Sequence, residues 1–272
     1  MDKDTIKRLI IEYQQFVANI TLIEREIHLS HQLNYVFVGL RRAGKSYLMY
    51  QQIQSLLNDG HQPEEILYFN FEDDRLVNLT VEDLDLIKVS YEELYPHKPI
   101  FFLDEIQIVE HWEKFARRLA DQQYRVYITG SNAKMLSAEI ATTLGGRYIV
   151  QNVYPFSFSE FLKASKIEIG PTWYYKNRTE IVRTFSDYFS YGGLPELMLI
   201  ETIEKRQWLS NLFNKIFFGD LITRYSIRND LAMKVLIRKL AESVKQPSSF
   251  NRRTNRFNNR RQSFNGHHYR LP

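Results

Sequence analysis

The chain has 272 residues, 44% of them hydrophobic and 25% charged, which is the balance of a globular protein with length for a sizeable core. It contains no cysteine, which excludes disulfides and thiolate metal sites, and it has no apolar run long enough to span a bilayer. The net charge of +4 sits at one end: seven basic residues (Lys245 and six arginines) follow Ser243 with no acidic residue among them. Removing these seven from the 36 basic residues leaves 29 against 32 acidic ones, so the rest of the chain is near −3. With no apolar secretory segment behind Met1-Asp2-Lys3-Asp4, the expected location is cytoplasmic.

Taken in order, Ile6, Ile10, Tyr13, Phe16 and Val17 recur at helical spacing and predict a helix over 4–19. The apolar run Tyr35-Val36-Phe37-Val38 predicts a buried strand feeding Gly39. A helix follows from Ser46 to Leu57, stopped by Asn58-Asp59-Gly60. Further strands are expected at Ile66–Phe71, Ile100–Leu103, Val126–Ile128 and Tyr148–Val150, with helices at Leu84–Leu94 and Trp112–Leu119 between them. Strands and helices alternating through short connections predict an α/β fold with a mostly parallel sheet.

From Pro155 the pattern turns helical, with a turn at Tyr191-Gly192-Gly193-Leu194-Pro195. The expected organisation is therefore a core over 1–154, a helical lid over 155–247 and a tail over 248–272. In the tail Phe250, Phe257 and Phe264 recur every seven residues among Asn and Arg. So few apolar residues cannot offset the ordering entropy, which makes disorder the expectation. A basic tail of this kind is also the only feature that points to nucleic acid.

Three segments carry chemistry. Gly39-Leu40-Arg41-Arg42-Ala43-Gly44-Lys45-Ser46 fits G-x-x-x-x-G-K-[S/T] between a strand and a helix, the context of a P-loop. Its glycines let backbone N–H groups face phosphates at the positive end of a helix. Lys45 is expected to reach the β- and γ-phosphates, and the Ser46 hydroxyl to ligate Mg²⁺. Gly39, Arg41, Arg42, Ala43, Gly44, Lys45, Ser46 and Tyr47 form the expected nucleotide-binding set. Whether Arg41 and Arg42 add charge there or face solvent is open at this level.

About 60 residues later, Ile100-Phe101-Phe102-Leu103-Asp104-Glu105 is an apolar strand ending in two acids, as a Walker B segment requires. Asp104 is assigned to Mg²⁺ and Glu105 to polarising water as a general base. The next strand ends in Thr129-Gly130-Ser131-Asn132. Asn132 is the first candidate for contacting the γ-phosphate and water, with Ser131 or Thr129 as substitutes and a helix N-cap as the alternative role. Arg147, after Gly145-Gly146, suits a developing phosphoryl charge, in its own chain or across an interface, or else simply forms an ion pair. Glu72, Asp73 and Asp74 read as a solvated turn.

On these residues the chain resembles a bacterial and archaeal family of AAA-type P-loop ATPases. The segments that carry the resemblance continue through Leu144-Gly145-Gly146-Arg147-Tyr148, Tyr154-Pro155-Phe156-Ser157-Phe158-Ser159-Glu160-Phe161 and Gly192-Gly193-Leu194-Pro195, covering about residues 15–250. The resemblance implies a core with sheet order 5-1-4-3-2, ATP with Mg²⁺, nucleotide-dependent association into homo-oligomers or with a protein partner, and a role for Arg147. It also implies a winged helix and a further domain beyond the core. The likeness fades near Phe250, so a truncated or frameshifted member is expected.

Overall fold

A computed structural model describes residues 2–76, 79–131, 142–167, 170, 172–223 and 225–243. Helix α1 (Lys3–Asn19) begins at Asp2, whose carboxylate accepts from the Thr5 N–H. Strand β1 (Tyr35–Gly39) then leads through a tight loop into α2 (Lys45–Asn58). There follow β2 (Ile66–Asn70), α3 (Val81–Leu94), β3 (Ile100–Asp104), α4 (Trp112–Asp121), β4 (Val126–Ser131) and β5 (Ile149–Val153). Helices α5 (Phe158–Ala164), α6 (Trp173–Lys176), α7 (Arg178–Tyr191), α8 (Thr202–Lys215) and α9 (Asp230–Glu242) complete the described chain. The expected elements are present. Helix α3 starts three residues earlier than its apolar spacing suggests, because Thr80 and Asp83 form a reciprocal capping box. Asn132 and the 248–272 tail lie outside the described residues.

All strand pairs are parallel and the order is β2-β3-β4-β1-β5. This is the expected order, 5-1-4-3-2, read from the other edge. Side chains alternate strictly between two buried layers, as the period of two requires. Val36, Val38, Leu67, Phe69, Phe101, Leu103, Val126 and Ile128 face one layer with α1, α3 and α4. Tyr35, Phe37, Ile66, Tyr68, Ile100, Phe102 and Tyr127 face the other, against Leu48, Met49, Ile53 and Leu56 of α2. Burying each such apolar side chain contributes about 1.5–3 kcal/mol, which is why short strands suffice. On the α2 side Tyr35, Tyr127 and Phe102 stack across three adjacent strands, with centroids 5.9 and 4.5 Å apart. Helix α1 covers the open edge of β2, where Gln14 Nε2 donates to the Ile66 carbonyl at 2.8 Å.

The chain divides into two compact units, Met1–Phe213 and Asn214–Pro272. The first holds the sheet and α1–α7. In the second, a π-helical segment, Ile216–Thr223, buries Phe217, and Lys234 of α9 lies over the rings of Phe217 and Phe218 at 5.4 and 5.0 Å. Among the described residues no helix is long and apolar enough to cross a membrane.

The parallel register places Gly39 beside Val153. A Cβ on Gly39 would lie 2.2 Å from the Val153 carbonyl oxygen, a backbone atom that cannot step aside. Gly39→Ala is therefore expected to lower stability by about 1–3 kcal/mol, the usual cost of overpacking. Urea unfolding followed by circular dichroism measures it, and an unchanged midpoint would refute the close approach.

Candidate functional site

At the C-terminal end of β1 the chain must reverse into α2 within a few residues. Arg42 (φ 64°) and Gly44 (φ 95°) adopt the left-handed region on either side of Ala43, and this curls the loop. Gly44 is the N-cap of α2 and has no side-chain cap, so the first N–H groups of the helix are left to face an anion. Lys45 is buried at 5% exposure and folds back over the loop. Its Nζ donates to the carbonyls of Leu40 at 3.3 Å and Gly39 at 3.5 Å, and stands 3.7 Å from Glu105 Oε1. Ser46, in the first turn of α2, is half-buried.

Asp104 ends β3 and is buried at 2% exposure. Both of its oxygens are held: Tyr68 of β2 donates its hydroxyl to Oδ2 at 2.7 Å, and Thr129 of β4 donates to Oδ1. The Thr129 hydroxyl in turn accepts the Glu105 N–H at 2.9 Å, so its one donor and one of its acceptor sites are engaged. Tyr50 of α2 lies 3.0 Å from the Tyr68 hydroxyl and continues the chain. Burial raises the pKa of both phenols, Tyr50 to about 12 and Tyr68 well above the ordinary value, with the Asp104 charge adding to each. The phenols therefore stay neutral donors beside the carboxylate.

Glu105 takes a left-handed conformation (φ 57°), which aims its side chain away from the strand axis toward Lys45. Gln107 donates its amide to Glu105 Oε2. Burial pushes the Glu105 carboxyl above the usual range, although Lys45 and the Gln107 bond oppose the shift. A carboxyl that binds its proton more tightly is a better base, provided it ionises at working pH.

One group was invisible to sequence reasoning. Arg25, in the polar stretch before β1, is buried at 6% exposure. Its Nε donates to Glu160 Oε1 at 2.8 Å, one terminal nitrogen to the Ala43 carbonyl at 3.1 Å, and the other to the Tyr154 carbonyl at 2.7 Å. Its guanidinium also lies 5.1 Å over the Phe156 ring. Glu160 further accepts the N–H groups of Glu26 (3.0 Å) and Ser157 (2.8 Å), the latter closing a capping box on α5. Burial disfavours the Glu160 charge, but Arg25 and the two N–H donors outweigh it and lower its pKa. The sequence Ser157-Phe158-Ser159-Glu160 signals only the cap; nothing local marks Arg25 as its partner.

The Gly192–Pro195 turn closes over the same loop. Gly193 accepts the Phe156 N–H at 2.7 Å, and a Cβ there would meet the Phe156 carbonyl at 2.2 Å. Pro195 Cγ lies 3.8 Å from where a Gly44 Cβ would stand. Arg42 pairs with Glu196 and stacks on Trp208 at 5.3 Å, so it reaches the helical segment while staying exposed.

The remaining expectations fall out unevenly. Arg41 is half-buried, and Tyr47 is exposed with its ring 5.5 Å from Tyr50. Asn132 lies outside the described residues, while Thr129, one of its substitutes, joins Asp104. Arg147 precedes β5 and so sits at the N-terminal edge of the parallel sheet, about 16 Å of strand away from the loop edge. There its Nε donates to Asp121 at 2.6 Å. Of the roles left open for Arg147, the contact it makes within its own chain is the ion pair, at the far edge of the sheet. Asp73 is engaged as well: it accepts from Tyr13 at 2.6 Å and pairs with Arg75, so the acidic turn is partly structural.

Residues 31–162 match the family described as an AAA domain. An uncharacterized protein of Methanocaldococcus jannaschii is 34% identical over 238 residues, covering 86% of this chain and 52% of that protein. An uncharacterized protein of Haemophilus influenzae is 34% identical over 237 residues, covering 83% of this chain and 57% of its own. The chain thus spans about half the length of these curated relatives. Among solved structures, a DNA polymerase III gamma subunit-related protein of Thermotoga maritima aligns with 11% identity and TM-score 0.37, over 78% of this chain and 80% of that one. The S. cerevisiae Hsp104–ADP complex aligns with 14% identity and TM-score 0.43, over 87% of this chain and 39% of that one.

The Arg25–Glu160 pair yields a test. Removing one partner of a buried pair strands the other charge, so Glu160→Gln is expected to cost about 3–5 kcal/mol at pH 7. Because the folded pKa of Glu160 is lowered, its contribution is present above the ordinary carboxylate range and is lost as pH falls through the lowered value. Urea unfolding of both proteins at steps from pH 7 downward should show their stabilities converging in acid; a gap independent of pH would contradict the assignment.

Proposed function

We propose that the chain belongs to the AAA-type P-loop ATPase family, whose AAA domain matches residues 31–162, and that it binds ATP with Mg²⁺ and hydrolyses it. The observation that carries the reading is the convergence of Lys45, Asp104 and Glu105 at one sheet edge, with Lys45 Nζ 3.7 Å from Glu105. In this reading the loop N–H groups and Lys45 bind the β- and γ-phosphates. Asp104, pre-oriented by Tyr68 and Thr129, fits Mg²⁺ together with the Ser46 hydroxyl. When bound, the ion supplies charge neutralisation at the β- and γ-oxygens.

Glu105 is the general base. It takes a proton from water as the water oxygen bonds to the γ-phosphorus and the bond from that phosphorus to the β–γ bridging oxygen breaks, leaving ADP and phosphate. Conformational coupling is supported by Arg42, which joins the loop to Glu196 and Trp208 of the helical segment. An Arg147 contribution to catalysis requires a second copy of the chain, since it stands at the far edge of its own sheet.

A nucleotide-gated switch with little turnover is the second reading. It is favoured by the engagement of Glu105 with Gln107 and Lys45. Two measurements separate the readings. Lys45→Ala is expected to weaken Mg²⁺-dependent ATP binding at least about tenfold, seen by calorimetry. Glu105→Gln is expected to keep binding while phosphate release falls about 10²–10⁴-fold. Equal, slow release by wild type and Glu105→Gln would select the switch.

A further inference from the structure

We infer that Arg25 is a positioning residue for the phosphate-binding loop, holding the Ala43–Gly44 peptide in the orientation that presents the Gly44 N–H to a phosphate. The inference rests on the reading that this loop binds ATP.

The argument begins with the peptide plane. In a trans peptide the C=O and the following N–H point in opposite directions. At Ala43 a terminal guanidinium nitrogen of Arg25 donates to the carbonyl at 3.1 Å, and the same nitrogen would stand 3.3 Å from a Gly44 Cβ. The carbonyl therefore faces Arg25, and the Gly44 N–H faces the other way, toward the side the loop encloses. Left alone, this peptide is the easiest in the loop to turn over. Gly44 has no Cβ to oppose rotation and already sits at φ 95°. Neighbouring peptides are tied elsewhere: the Ala43 N–H donates to the Leu40 carbonyl at 3.2 Å, and the Gly44 carbonyl accepts the Leu48 N–H at 3.0 Å. The Ala43 carbonyl relies on Arg25.

The guanidinium is itself over-determined, which is what makes it a usable reference point. Nε is committed to Glu160, the second terminal nitrogen to the Tyr154 carbonyl, and the ring of Phe156 covers one face. The Arg25 backbone is fixed too, since its N–H donates to Gln51 Oε1 at 2.7 Å and its carbonyl accepts from Gln51 Nε2 at 3.1 Å. Gln51 belongs to α2, the helix that the loop opens. Arg25 thus refers the loop peptide to three frames at once: α2, the end of β5, and the start of α5. Three separately directed N–H groups in one plane are a property of arginine that lysine does not share.

The test uses the full chain with Arg25→Lys and Arg25→Gln, titrated with ATP and with adenosine. Arg25→Lys keeps a charge opposite Glu160 and so carries the test if Arg25→Gln does not fold. Loss of one oriented N–H should weaken ATP about tenfold or more while leaving adenosine, which has no phosphate, unchanged. A residue that only braces the fold would lower the melting temperature and leave the ratio of ATP to adenosine affinity at its wild-type value; that result overturns the inference. The ¹⁵N–¹H signal of Gly44 in the nucleotide-free protein gives a second arm. Its displacement or exchange broadening in Arg25→Lys supports a freed peptide, and an unmoved signal opposes it. If wild type binds no ATP, the ATP reading fails, and the Gly44 signal still decides whether Arg25 holds the peptide.

Discussion

Every feature of the candidate site depends on the five strands running the same way in register. Parallel neighbours place all C-terminal strand ends along one edge, so residues far apart in the chain meet there without long side chains reaching inward. Leu103 is level with Ile128, which sets Asp104 beside Thr129; Tyr68 is level with Phe102, one step behind Asp104 on the same face. A slip of one residue in β3 would turn Asp104 to the layer of α1 and α3 and leave a buried carboxylate without donors. The same register explains why Gly39 has no side chain, and why Arg147, at the start of β5, stands at the wrong edge for its own loop.

The two carboxyls at the end of β3 illustrate how adjacent residues acquire different tasks from their surroundings. Asp104 accepts one neutral hydroxyl on each oxygen, from two neighbouring strands, so its orientation is fixed while acceptor sites remain for a ligand. Glu105 leaves the strand through a left-handed residue and meets an amide and an ammonium group, while burial still lifts its proton affinity. A fixed acceptor and a carboxyl of raised proton affinity thus stand one residue apart.

Much of this was legible in the sequence because the signals were local. The apolar runs, the glycine loop and the acidic pair each declare themselves within six or eight residues, and alternating elements then leave few topologies. What was not legible is what joins distant segments. Tyr68 reads as one more apolar strand residue, because period two gives its face but not the register that puts it against Asp104. Arg25 lies 135 residues from Glu160 in a stretch with no periodicity, and Glu160 reads as an ordinary capping box. Arg147 shows the opposite case: an arginine after two glycines has a local signature that left its role open, and its partner, Asp121, is set by the fold.

The loop is held from two sides by ion pairs of unequal strength. Arg42–Glu196 has both side chains 42% exposed; water and ions compete for it, and such a pair contributes about 0.2–1 kcal/mol. Stacking on Trp208 adds an increment of similar size. Arg25–Glu160 has both side chains 5% exposed, and removing either partner leaves a charge without solvent. The first can therefore be broken at little cost, whereas the second cannot be broken without losing much of what holds the chain folded. Glu160 and Glu196 both belong to the segment after β5, so that segment has one firm attachment to the loop and one weak one. Attachment of that kind permits rearrangement about the firm point while the Ala43 peptide stays where the buried guanidinium holds it, and it confines the adjustable contacts to the exposed side of the loop.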